Sequence, residues 1–165
     1  MSFQERLVDN LIDREENQHE KLVWRVVKKS STSFTGGTGD AHGNNGGALD
    51  PYTLFTVTGD VIIKAIWGVC NTSLTGAATL EVGVAGNTAQ LLAQIADTTT
   101  LDDGDIYTDA GTEAGSDIQA AAGLNFINDG ADIIETTDTT DITAGQIDYY
   151  VIWAPAEANG NVVAA

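Results

Sequence analysis

Three short acidic runs carry the residues best suited to chemistry: 102-DDGD-105, 128-NDGAD-132 and 138-DTTD-141. Loop carboxylates are hard oxygen donors, so each run could ligate Ca²⁺. Two carboxylates held at a fixed separation could instead hydrolyse a glycosidic bond. None of the runs has the D-x-[DN]-x-[DN]-G spacing with a following bidentate Glu, and solvated turn residues are the plainer reading. His19 lies in a polar stretch and His42 in a glycine-rich loop, neither near a nucleophile motif such as G-x-S-x-G. The run 36-GGTGDAHGNNGG-47 has the glycines of a phosphate cradle without the terminal Lys-Ser/Thr, which predicts a flexible loop. Cys70 is the single cysteine, so no intrachain disulfide can form, and it reads as a small buried hydrophobe. The expectation is a chain that is not an enzyme and has no cofactor, metal or catalytic residue.

The charge is unevenly laid out. The net charge is −17 over 165 residues. Residues 1–29 balance six basic groups against six acidic ones, whereas Lys64 is the only cation among eighteen acids from residue 30 onward. Such a body repels phosphate backbones, so nucleic acid is not an expected partner. No apolar run approaches membrane-spanning length, and no signal-peptide h-region is expected near the start. Synthesis in a cytoplasm follows.

The elements that would position these residues fall into three stretches: an arm (1–29), a glycine-rich loop (30–50) and a β body (51–165). Ser2 and Glu5 have capping-box spacing, and Phe3, Leu7, Val8, Leu11 and Ile12 form one face of a short helix. The polar run 13-DREENQHEK-21 follows, then the alternating 22-LVWRVV-27, which predicts a strand around Trp24. An arm with one short apolar stripe buries little alone, so Phe3, Leu7, Val8, Leu11, Ile12 and Trp24 are expected to anchor on another subunit. A helix packed on its own domain is the alternative.

From Pro51 the pattern is strand, turn, strand. Strands are expected at 53–58, 61–70, 79–85, 89–96, 124–127, 132–137 and 147–154, separated by Gly-containing turns such as Gly59-Asp60 and Ala144-Gly145. Segment 89–96, rich in Ala, Leu and Gln, could also form a helical turn. The fold class is all-β: a single antiparallel β-sandwich, jelly-roll-like, preceded by an N-terminal α-helical arm.

In 61-VIIKAIWGVC-70, strict alternation puts Val61, Ile63, Ala65, Trp67 and Val69 on the core side. Ile62, Lys64 and Ile66 fall on the opposite face, which is also largely apolar and so must be covered. The arm or a neighbouring subunit could cover it. An oligomer contact at Ile62, Lys64 and Ile66, with Lys64 meeting a carboxylate, is the favoured expectation. The alternative is a lysine snorkelling at a sheet edge.

The order 53-TLFTVTGDVIIKAIWGVCNTSLTGAATLEVGVAGNTAQLLAQ-94, then 128-NDG-130, then 142-ITAGQIDYYVIWAPAEANGNVVAA-165 resembles small virion proteins of tailed bacteriophages and prophages. "LFTVTGDV", the "TGAATLEVGVAG" hairpin and "ITAGxIDYYxxW" carry the resemblance, over about two-thirds of the chain. It implies a capsid decoration (cement) or head-fibre-base protein on the virion surface. The implied assembly is a homotrimer, with the major capsid protein or other virion subunits as partners. A rival reading is a carbohydrate- or receptor-binding module of a tail or head fibre, with Tyr107, Tyr149, Tyr150 and Trp153 as its platform.

Overall fold

A computed structural model describes residues 23–30, 33–37, 39–109, 111–113 and 124–165. These residues form eleven strands: β1 Arg25–Lys29, β2 Tyr52–Thr58, β3 Val61–Thr75, β4 Thr79–Val84, β5 Asn87–Ile95, β6 Ile106–Thr108, β7 Gly111–Glu113, β8 Asn125–Ile127, β9 Ile133–Asp138, β10 Ala144–Pro155 and β11 Asn161–Ala164. A 3-10 turn at Thr98–Thr100 is capped by Asp97, whose carboxylate accepts from the Thr99 amide at 3.0 Å.

The strands make two antiparallel sheets. The first runs β1-β10-β3-β6-β7, with β8 also pairing β3; the second runs β11-β2-β9-β4-β5. The chain crosses from one sheet to the other between β2 and β3 through Gly59 and Asp60 alone. Inward side chains of both sheets share one core, including Phe55 and Val57 on β2, Leu80 and Val82 on β4, and Tyr149, Val151 and Trp153 on β10. Gly68 makes room at its centre: a Cβ there would lie 2.8 Å from Ile147 Cγ2 and 3.2 Å from Tyr149 Cε1.

The all-β expectation holds, and its strands appear where the turn signals placed them. Segment 89–96 is strand rather than helix, because Leu92 and Ile95 face the core from an antiparallel pairing with β4. The short strands β6, β7 and β11 had no periodic signal. The helix expected over the first residues lies outside the described residues. Arg25–Lys29, read as part of an arm, is built into the body as an edge strand paired with β10 from Trp153 to Tyr149.

The glycine-rich loop is held at both ends rather than free. Thr35 N–H donates to the His42 carbonyl (3.0 Å), Gly36 N–H to Ile142 (2.9 Å), and Ile142 N–H to Gly43 (2.8 Å). Gly43 adopts φ +88°, and a Cβ on it would meet the Ile142 carbonyl at 2.6 Å. His42, whose place in that loop gave it no expected role, drives its ring into the core between Phe34 and Tyr52, at centroid distances of 4.2 and 4.1 Å. Its Nε2 lies 2.7 Å from Glu135 Oε1, and the Tyr149 hydroxyl donates to Glu135 Oε2 at 2.5 Å. His42 Nδ1 is buried without a protein partner, so the N–H belongs on Nε2, donating to the carboxylate; a bare lone pair is cheaper to bury than an unpaired donor.

Candidate interaction surface

A single extra residue decides which face of β3 looks outward. Val61 and Ile63 are buried, but farther along the buried residues are Ile66, Gly68 and Cys70, so the alternation changes phase between them. The register explains it. Ile152 of β10 stands opposite Ala65 and Trp153 opposite Ile63, which leaves Lys64 without a partner on β10. This is a β-bulge, and it reverses the facing of everything after it. The expected core face of Ala65, Trp67 and Val69 is therefore the outer face. Ile66, expected at an oligomer contact, is 6% exposed and belongs to the core. Ile62 and Lys64 do lie outward, as expected.

The outer face of the first sheet is largely apolar, interrupted by Lys64 and by the ion-paired Lys28 and Asp148. Registered rows run Val26–Ile152–Ala65, Lys28–Tyr150–Trp67, Asp148–Val69–Ile106 and, at one end, Ile62–Phe126. Val26 is 65% exposed and Phe126 59%, while Trp67 and Tyr150 stack with centroids 5.3 Å apart and planes within 5°. Contiguous apolar surface of this kind marks a site of interaction. The second sheet differs: outward positions hold Thr56, Glu81, Thr88 and Gln94 beside the exposed Val163, and Glu81 accepts from both Thr88 and Gln94.

Lys28 and Lys64 stand on the apolar face, whereas Arg25 and Lys29 lie on the opposite, core-facing side of β1; each is seated over an aromatic ring. Lys64 Nζ lies 5.2 Å from the Trp24 ring centroid and Lys28 Nζ 5.4 Å from that of Tyr150. Arg25 sits 5.1 Å over Trp153, and Lys29 5.4 Å over Tyr52. Lys28 also pairs with Asp148 at 2.6 Å, and this contact, then that with Tyr150, raises its pKa. The sheet-edge alternative for Lys64 needs correction: it stands on a strand inside the sheet. Within the chain it meets the π face of the Trp24 indole, an interaction worth about 0.5–1 kcal/mol at an exposed site.

The acidic runs spend their oxygens on backbone amides. Asp105 accepts from Asp102 N–H (2.9 Å), Asp132 from Val57 (2.9 Å), Asp141 from Asn45 (2.9 Å) and Asp138 from Thr139 (2.6 Å). Among the described residues, no group of three or more His, Cys, Asp or Glu side chains is gathered as a metal ion would need. The expected aromatic platform does not assemble. Tyr107, Tyr149 and Trp153 are 0%, 2% and 3% exposed, and the Tyr107 hydroxyl donates to the Ala93 and Leu80 carbonyls at 2.8 and 3.1 Å. Of the four, Tyr150 alone reaches the surface. Its partner there is Trp67, which strict alternation along β3 would put in the core; the bulge leaves no mark on the local pattern.

Trp24, expected as an arm anchor, is described and touches Lys64. Phe3, Leu7, Val8, Leu11, Ile12 and His19 lie outside the described residues. Comparison of the chain with known protein families, with characterised proteins and with solved structures gave no match.

Proposed function

We propose that the chain is a structural virion protein of a tailed phage. In this reading it decorates or cements the capsid surface as a homotrimer after synthesis in the host cytoplasm. The N-terminal arm makes the attachment, and the major capsid protein or another virion subunit is the partner. The observation that carries the reading is the largely apolar outer face of the first sheet, backed by a tightly filled β core and carrying the aromatic-seated Lys28 and Lys64. An acidic, stiff body with one adhesive face suits a subunit that must stay soluble until it finds a surface. The resemblance of residues 53–94, 128–130 and 142–165 to phage virion proteins supports it. A jelly-roll-like topology belongs to the same proposal, supported by the way β1, β2, β3 and β4 alternate between the two sheets.

The stacked pair Trp67–Tyr150 favours a second reading, a carbohydrate-binding module of a fibre, because a sugar ring packs on an exposed aromatic face. Two measurements separate the readings. A decoration protein has a solution mass three times the 17.3 kDa of the chain and co-sediments saturably with purified capsids of the phage or prophage that encodes it. A monomer that leaves capsids bare, with indole fluorescence quenched by host polysaccharide, overturns the decoration reading in favour of the module.

A further inference from the structure

The outer face of the first sheet needs an occupant, and the chain carries one. We propose that residues 3–12 of the same chain pack across this face, with Phe3, Leu7, Val8, Leu11 and Ile12 laid over Ala65, Trp67, Tyr150 and Ile152.

Four observations point there. The first is where the described chain begins. Val23 and Trp24 lead into β1 at the border of the face, and the Trp24 ring already meets Lys64 on β3, across the intervening β10. The second is reach. From β1 across β10 and β3 to β8 is about 15 Å at the usual strand spacing. Twenty-two residues precede Val23, enough to span about 33 Å even if wholly helical. A ten-residue apolar stripe at helical spacing is about 15 Å long, the width of the sheet.

The third is charge. The acidic stretch Asp13, Glu15, Glu16 and Glu20 lies between the stripe and β1. On the face stand Lys28, paired with Asp148, and Lys64, the sole cation among the eighteen acids from residue 30 onward. The fourth is selectivity. The outer face of the second sheet sets Thr56, Glu81, Thr88 and Gln94 around one exposed large hydrophobic, Val163, so an apolar stripe gains less by covering it. A second copy is the weaker occupant, because it would bring a body of the same net charge, −17, against the first.

The docking does not depend on the virion reading.

The test is paramagnetic broadening in the full-length protein carrying Asn10→Cys, a position off the stripe, modified with a nitroxide. Native Cys70 is 1% exposed and takes up no label, which the unsubstituted chain verifies. The isotope-labelled, spin-labelled chain is diluted into an excess of unlabelled chain. Loss of amide signal confined to residues 62–69 and 148–152, abolished by Leu7→Asp/Leu11→Asp with the second sheet's signals unmoved, is the expected result. Broadening seen only when spin label and isotope are on different molecules overturns the proposal in favour of a second copy. Broadening of the second sheet, or none, overturns it outright. No arm of the experiment uses a capsid, so it can fail while the virion reading stands, and the reverse.

Discussion

His42 and Glu135 lie 93 residues apart in sequence and 2.7 Å apart in the core, 6% and 1% exposed. The contact pins the glycine-rich loop to β9 and so to the second sheet. With Tyr149 donating from β10, it also ties the second sheet to the first. A carboxylate buried this deeply is tolerable only because both its oxygens accept hydrogen bonds.

His42→Ala removes one of those donors and leaves a void between Phe34 and Tyr52. The expected loss of unfolding free energy is about 3–5 kcal/mol. Glu135→Gln keeps the volume but leaves one acceptor oxygen for two donors, so either His42 or the Tyr149 hydroxyl must accept from the amide and its own proton loses its partner; the expected loss is about 1–3 kcal/mol. Urea denaturation of both variants and their double checks this. The double should lose markedly less than the two singles together, and simple additivity would show that the pair does not act as a unit.

The bulge makes a prediction about deletions. Removing Lys64 leaves Val61, Ile63, Ile66, Gly68 and Cys70 in unbroken alternation, all facing the core as before. The variant should fold with the same far-ultraviolet spectrum and a modest drop in melting temperature. Removing Trp67 instead turns Gly68 and Cys70 outward, and should yield insoluble or unfolded protein. Equal behaviour of the two deletions would sink the bulge as the cause of the phase change.

Gly68→Ala places a methyl against Ile147 and Tyr149, both fixed in the core. It should destabilise by about 1–3 kcal/mol through overpacking. A thermal melt beside that of the parent chain measures this directly.

Alkali should loosen the core. Burial pushes the Cys70 thiol up from 9.0 to about 11, and raises the Tyr107 and Tyr149 phenols well above their ordinary value. Each of these groups keeps its proton longer in the folded than in the unfolded chain. The thiol's contribution is therefore complete below about pH 9 and is lost as pH rises through about 11, and that of the phenols is lost only well above their ordinary range. Denaturation midpoints should fall steadily above pH 9, with phenolate absorbance from two of the four tyrosines rising only with unfolding. At neutral pH, a thiol reagent should modify Cys70 no faster than the chain opens.

The sequence by itself determined the fold class, most strand positions and the burial of Cys70. These follow from short-range patterns: β-branched runs, alternation, and glycines where the chain must turn. It also determined the charge asymmetry and the apolar character of both faces of 61–70. Tertiary structure alone decided which of those faces is inside, because a bulge is an event of pairing, visible only where Ile152 and Trp153 of β10 register against Ala65 and Ile63. It likewise turned Tyr107, Tyr149 and Trp153 inward and joined His42 to Glu135. Each of these outcomes depends on what a distant strand brings to the same place, and local periodicity carries no record of that.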